Sequence, residues 1–288
     1  MRIAQALILP ARVERAMAVA YQGAGLPSFI IIGTMKGGTS SLHHYLRKHP
    51  KICMSAAKEP NFFIAACNFD KGLNWYRSLF GDHTKVCGEA SPAYSKRHQH
   101  PGVPERLYRL VPHVKLIYIL RDPIDRIISH YMHNRISGRE RRSMAVAISS
   151  RSYRNNYVQT SMYGFQLAAF LPHFSLDRIL IATTEDLRDQ RVETLRSIFQ
   201  FIGVEPRFKD SEFDRLFNQT VVVGQASGGG AKGARERRVE VSRFDRGSDV
   251  SARPQLDPED RDRLVQHLAP DIDRLRDLTG LRFERWSL

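Results

Sequence analysis

The stretch Ser28-Phe-Ile-Ile-Ile-Gly-Thr-Met-Lys-Gly-Gly-Thr-Ser-Ser41 decides the fold. Ser28 to Ile32 is a continuous apolar, mostly β-branched run, as expected of a parallel strand buried on both faces. Gly33, Gly37 and Gly38 then call for a turn. From Thr39 the apolar residues take helical spacing, at Leu42, Tyr45 and Leu46, and the helix should end near His49 and Pro50. Strand, glycine loop and helix follow in order, so backbone N–H groups and a helix N-terminus face the same point and can cradle an oxyanion. The hydroxyls of Thr39, Ser40 and Ser41 add donors, and Lys36 adds a full positive charge. Glycines that only make a tight turn would need neither.

A phosphate-binding P-loop has the same four-residue gap between Gly33 and Gly38, but it requires Lys and then Ser or Thr directly after the second glycine. Thr39 stands there instead, and the only lysine lies inside the loop. A kinase-like phosphotransferase is weakened at the residue it most needs.

Outward from this loop the pattern repeats. Val114 to Leu120 reads as a second buried strand, followed by Arg121, an Asp122 cap and Pro123 at the first helical position, with Ile124, Ile127, Ile128 and Tyr131 at helical spacing. Arg178 to Thr183 reads as a third strand. It leads through Glu185 and Asp186 to a helix over about Gln190 to Ile202, which Gly203 stops. Asp257 and Pro258 open a closing helix, interrupted at Pro270 and resumed through Ile272 and Leu275. Strands alternating with helices imply an α/β fold, a single domain with a central parallel sheet flanked by helices. Residues 1–27 read as a lead-in with a short helix over 11–22, residues 28–288 as the domain, and about 224–238, rich in glycine and basic residues, as a mobile loop.

The bulk composition agrees with one α/β domain: 288 residues with 42% hydrophobic content can bury a core. Lys and Arg number 44 against 30 Asp and Glu, a formal charge of +14, so the surrounding field draws anions. Cys53, Cys67 and Cys87 have neither disulfide-scaffold nor zinc spacing, which points to a reducing compartment and no metal. Pro10, Arg12, Glu14 and Arg15 interrupt the apolar patch Ile3 to Leu9 well short of the roughly 20 apolar residues of a membrane span. A cytoplasmic protein without a transmembrane segment is expected.

Lys36-Gly-Gly-Thr39 with Arg121-Asp-Pro123, Arg126, Ser129 and Tyr131 resembles the two nucleotide-binding motifs of sulfotransferases that use PAPS, 3′-phosphoadenosine 5′-phosphosulfate. Lys58-Glu-Pro-Asn-Phe-Phe63, Gly88-Glu-Ala-Ser-Pro-Ala-Tyr94 and Val103-Pro-Glu-Arg-Leu107 resemble the heparan sulfate N- and 3-O-sulfotransferase branch, of which this chain looks like a soluble bacterial-type member. The resemblance implies a P-loop-like nucleotide site. Lys36, Gly37, Gly38, Thr39, Ser40 and Ser41 would hold the 5′-phosphosulfate, Arg121 and Ser129 the 3′-phosphate, and Lys36 the charge on the leaving oxygen. Glu59 matches the general base, and a carboxylate there can take an acceptor proton. Pro60 biases Glu59 toward extended backbone. Tyr163 falls near the adenine by family position. His43, His44 and His130 are weaker candidates for a base, and Phe62, Phe63, Trp75 and Tyr76 read as core before acceptor cleft.

The sequence departs from that pattern twice. Ala90 follows Glu89 where the heparan enzymes carry a lysine, so the acceptor differs or another basic group substitutes. The late Lys-Gly-Arg loop appears as Lys232-Gly233-Ala234-Arg235, with one residue inserted. The expected reaction moves a sulfuryl group from PAPS, releasing PAP, to a hydroxyl or amine of a carbohydrate or small molecule. A non-catalytic protein binding polyanions such as nucleic acid through Lys232 to Arg238 would leave the paired anion motifs without a purpose.

Overall fold

The computed structural model describes residues 25–81, 84–149, 155–214 and 255–288. Five strands form one wholly parallel sheet: β1 (Phe29–Gly33), β2 (Ile52–Met54), β3 (Val86–Ala90), β4 (Lys115–Leu120) and β5 (Ile179–Thr183), in the spatial order β2-β3-β1-β4-β5. Helices α1 (Thr39–Leu46), α2 (Gly72–Ser78), α3 (Val103–Leu110), α4 (Pro123–Ile136) and α5 (Met144–Ser149) lie in the first half of the fold. The short α6 (Asn156–Gln159) and α7 (Tyr163–Leu167) precede β5, and α8 (Thr184–Asp189), α9 (Arg191–Ile202) and α10 (Pro258–Thr279) follow it.

Why the central strands are apolar at every position follows from this layering. Successive side chains of a strand point to opposite faces. Ile30 and Ile32 of β1 pack with Leu116, Tyr118 and Leu120 against Phe62, Phe63, Tyr76 and Tyr163 on one face. Phe29 and Ile31 pack with Ile117 and Ile119 against Leu42, Leu46, Leu195, Ile198 and Phe199 on the other. Both faces are covered, so alternation disappears, as the β1 and β4 sequences suggested. The aromatics Phe62, Phe63 and Tyr76 are core, each 1% exposed or less.

Strands β2 and β3 escape the sequence reading, β2 because three residues are too few to show a period and β3 because Gly88 and Glu89 break its apolar run. The closing helix runs unbroken through Pro270. Next to the proline, the buried Asp271 accepts from the backbone N–H groups of Gly164 (2.9 Å) and Phe165 (2.7 Å), so docking on α7 holds the helix where its own ladder loses a donor. The lead-in helix expected over 11–22 and the loop about 224–238 lie outside the described residues.

The sheet order reverses between β1 and β4. The first βα loop and the β4–α4 turn both emerge at the carboxyl ends of these adjacent strands, the place where open parallel sheets bind ligands.

Candidate active site

The loop after β1 is shaped by close approach. Gly37 donates to the Thr34 carbonyl at 2.9 Å, and a Cβ on Gly37 would lie 2.8 Å from the backbone oxygen of Ile119 in β4. Gly38 enters α1 with φ 90°, a left-handed conformation that favours glycine, and no side chain caps the helix start. Lys36 also adopts a left-handed backbone, φ 67°. The hydroxyl of Thr184 sits 2.7 Å from the Gly37 carbonyl and 2.9 Å from the Leu120 carbonyl, tying the loop to the end of β4.

The β4–α4 turn is capped as its sequence predicts: the Asp122 carboxylate accepts from the Asp125 N–H at 2.9 Å, with Pro123 at the first helical position. Such a cap contributes about 1 kcal/mol. Asp122 is also anchored from far along the chain, its own N–H donating to Glu185 (3.0 Å) and its carboxylate accepting from the Ser287 N–H (2.6 Å). Arg126, fully buried, donates to the Ser161 hydroxyl at 2.5 Å, to the Tyr157 carbonyl and, at 3.4 Å, to the Met35 carbonyl. Helix α4 therefore grips the loop that carries Lys36.

Between these turns opens a cleft of about 930 Å³. Its wall brings together Lys36, Gly38, Thr39, Ser40, Ser41, Glu59, Arg121 and Ser129, residues up to 93 positions apart that the sequence singled out. Gly37 belongs to the same loop, whereas Lys232, Gly233 and Arg235 lie outside the described residues. Six lysines and arginines line the cleft against three carboxylates, so its field is positive. The pKa of Lys36 is lowered by burial first, then by the cations of Arg121 and Lys58. Arg121 is braced by Asp125, 3.3 Å away on the next turn of α4.

Glu59 reaches the cleft on a segment that differs from expectation. Its backbone is left-handed, φ 54°, rather than extended, and Asn61 follows at φ 50°. The cause is anchoring of the Pro60–Asn61 peptide from both its ends. The Asn61 N–H donates to Ser91 Oγ at 3.1 Å and Asn68 donates to the Pro60 carbonyl at 2.7 Å. Lys58 donates to Ser40 Oγ at 2.5 Å and lies 4.0 Å from Glu59, so the two turns meet at this lysine.

Lys96 is the residue that the sequence reading missed. It lines the cleft, is 6% exposed, and lies 3.1 Å from the Met35 sulfur. Burial and the Arg126 cation lower its pKa to about 8, against the attraction of Glu59. The signal was present in the absence of a lysine at position 90, with the first basic residue after the motif being Lys96. Tyr163 moves the other way: it is fully buried, its hydroxyl donating to the Arg121 carbonyl at 2.8 Å, and it supports the turn from behind. His130 packs against Arg126 with its pKa lowered to about 2 by burial and by that cation, which removes it as a base facing the cleft.

Among the described residues no cluster of three or more His, Cys, Asp or Glu could hold a metal ion, and no helix is long and apolar enough to cross a membrane.

Comparison with known proteins adds an independent line. The profile of the family described as "Sulfotransferase domain" matches residues 26–276. Heparan sulfate glucosamine 3-O-sulfotransferase 5 of Mus musculus is 32% identical over 207 residues, covering 68% of this chain and 58% of that protein. Bifunctional heparan sulfate N-deacetylase/N-sulfotransferase 2 of Homo sapiens is 28% identical over 200 residues, covering 63% and 22%. The crystal structure of a sulfotransferase from Alicyclobacillus acidocaldarius superposes with a TM-score of 0.70 at 25% identity, covering 91% of this chain and 99% of that one. The chain thus spans little over half the length of the curated 3-O-sulfotransferase it matches.

Proposed function

The chain belongs to the sulfotransferase domain family, and from that premise we propose that it transfers the sulfuryl group of PAPS to a hydroxyl or amine of a carbohydrate or small-molecule acceptor. The observation that carries this reading is the convergence of Lys36, Arg121 and Lys58 on one cleft, where burial first and then repulsion from the other two cations lower the Lys36 pKa. Cations so placed gain most from a polyanionic ligand, which relieves the repulsion as it binds. The close packing at Gly37 and the uncapped start of α1 suit a phosphate approaching the backbone.

In this reading the glycine loop and the hydroxyls of Thr39, Ser40 and Ser41 hold the 5′ end, while Arg121 and Ser129 hold the 3′-phosphate. PAPS supplies the activated sulfuryl group. Glu59 takes the proton that the acceptor oxygen or nitrogen loses as its bond to sulfur forms. Lys36 and Lys96 hold the negative charge that appears on the departing phosphate oxygen. Rate enhancement comes from positioning and from fixed positive groups at the developing charge. Lys232, Gly233 and Arg235 are proposed to complete the nucleotide site. Three cysteines without disulfide-scaffold spacing favour the cytoplasm as its compartment.

A phosphotransferase reading has less support, because Thr39 stands where the phosphate-binding lysine would be needed. Isothermal titration with PAP, on the wild type and Arg121→Ala, with ATP as comparison, separates the two. Tight PAP binding that Arg121→Ala weakens at least tenfold, with ATP much weaker, supports sulfuryl transfer. Magnesium-dependent ATP binding with no response to PAP would overturn it.

A further inference from the structure

The segment after α10 folds back onto the domain as a strap. Gly280 stops the helix with φ 70°, and Arg276 on the last turn donates to the Arg282 carbonyl at 3.1 Å and to the Leu288 carbonyl at 2.8 Å. Trp286 anchors the strap. It is 7% exposed, stacks on Phe283 with ring centroids 4.2 Å apart, and meets the buried Tyr163 at 5.6 Å. Tyr163 in turn holds the Arg121 carbonyl. Arg285 lies 3.5 Å from Asp186 and 3.3 Å from Asp189, which fastens the strap to α8.

The polar contacts of the strap converge on the turn that carries Arg121. The Trp286 indole N–H donates to one carboxylate oxygen of Glu185 at 3.3 Å, and the other oxygen accepts the Asp122 N–H at 3.0 Å. The Ser287 N–H donates to one oxygen of Asp122 at 2.6 Å, while the other caps α4 through the Asp125 N–H at 2.9 Å. Asp122 and Glu185 are both buried, and every one of their carboxylate oxygens has an N–H donor. Hydrogen bonds to ionised groups are stronger than neutral ones, and a buried carboxylate oxygen that loses its donor is driven toward another. Glu185 also lines the cleft, as do Arg121 and Arg188. Those arginines pair with Asp125 and Asp189, and among the described residues Glu185 pairs with neither.

Resting on the proposed PAPS site, we infer that Trp286, with the Ser287 backbone, positions Arg121: through Glu185, Asp122 and Tyr163 the strap aims the guanidinium and keeps the Glu185 carboxylate from competing for it. Trp286 does not line the cleft, so it acts only through these partners. The preference for a nucleotide bearing a 3′-phosphate then depends on a residue that does not touch the nucleotide.

The test is isothermal titration of PAP and of AMP, adenosine 5′-phosphate, which shares the 5′ end and lacks the 3′-phosphate. It is run on the full chain as wild type, Trp286→Phe, Ser287→Pro, Arg121→Ala, the double variant Arg121→Ala/Trp286→Phe and the control Glu284→Ala, an exposed residue of the same strap. Trp286→Phe keeps an aromatic ring against Phe283 and Tyr163 and removes the indole donor, whereas Ser287→Pro removes the N–H given to Asp122. Thermal unfolding and circular dichroism check each fold. Trp286→Phe and Ser287→Pro should each lower PAP affinity about fivefold or more, the scale of a lost hydrogen bond to a charged group, and AMP affinity less than about twofold. Glu284→Ala should match the wild type. In the Arg121→Ala background Trp286→Phe should have little further effect on PAP, because residues acting through one another are not additive. Equal losses for PAP and AMP, or the same PAP loss with and without Arg121, would assign the strap to general stability and overturn the inference. A folded Trp286→Phe or Ser287→Pro protein that keeps the wild-type preference overturns it as well. A wild type that binds PAP no tighter than AMP is a different result: it refutes the assignment of the 3′-phosphate to Arg121, and the inference falls with that reading.

Discussion

Ser91 Oγ donates to the buried Glu89 carboxylate at 2.7 Å while it accepts the Asn61 N–H at 3.1 Å, so one hydroxyl joins the end of β3 to the turn that carries Glu59. Tyr76 and Tyr94 donate to the other carboxylate oxygen at 2.5 and 3.0 Å, and Tyr94 Oη also accepts from the Phe63 N–H at 3.3 Å. Glu89 is therefore a hub that fixes the segment carrying Glu59 at two points.

Removing that hub should cost stability and position together. Glu89→Ala strands three buried hydroxyls at about 1–3 kcal/mol each, with some relaxation, so a loss of roughly 3 kcal/mol is expected by urea denaturation. Glu89→Gln keeps the shape and tests the charge. Burial raises the Glu89 pKa to about 7 against its three hydrogen bonds. The folded state then holds a proton that the unfolded chain releases near 4.5. The contribution is therefore favourable below pH 4.5 and is lost as pH rises to 7, by on the order of 3 kcal/mol. Glu89→Gln should lack this decline. Urea midpoints at pH 5 and 8 are compared between the two proteins, because His43, His98 and His130, held neutral by burial, add a common slope of opposite sign below pH 6.5. Parallel profiles would show that Glu89 does not titrate in this range.

Lys96 is expected to matter as a cation. Lys96→Met should lower turnover by about 10²-fold, the scale of a lost charge-stabilising donor, with a smaller change in nucleotide KM. The wild type should lose affinity for PAP above pH 8 as the Lys96 ammonium deprotonates, and the variant should not. Wild-type turnover in Lys96→Met would leave the transfer site with Lys36 alone.

What could be read from the chain and what could not divides by range. The β1 loop and the Asp122-Pro123 cap are built from neighbours in sequence, so residue type and spacing suffice to place Lys36, Ser40 and Arg121. Lys96 enters the cleft only because β3 lies beside β1. The hub at Glu89 needs Tyr76 from α2, and Asp122 needs Glu185 and Ser287, contacts that no local period encodes. Glu59 was found by motif, yet its backbone was misjudged because the hydrogen bond to Ser91 outweighs the preference imposed by Pro60.

Gly37 offers a test of the cradle itself. In Gly37→Ala the new methyl would press on the Ile119 carbonyl, part of the central sheet, and on the Thr34 side chain 2.5 Å away. The strand cannot yield without breaking its ladder, so the loop must move, and overpacking of this kind costs about 1–3 kcal/mol. PAP affinity should fall at least tenfold by titration calorimetry, while the sheet survives in circular dichroism. Unchanged affinity would show that the loop backbone does not contact the nucleotide.

Lys36 should separate stability from activity in opposite directions. A non-glycine residue at φ 67° carries strain of about 1 kcal/mol, tolerated at sites where the conformation serves function. Burial and the neighbouring Arg121 and Lys58 cations add electrostatic cost to the same side chain. Lys36→Gly relieves both, offset by the entropy of a freer unfolded chain, so its thermal midpoint should equal or exceed the wild type's. Turnover should fall by about 10²-fold or more, because the proposed mechanism assigns this group to the departing charge. Lys36→Ala should lose as much turnover without the gain in stability. A stable Lys36→Gly protein with full sulfuryl transfer would remove Lys36 from the chemistry and leave its strained backbone without an explanation.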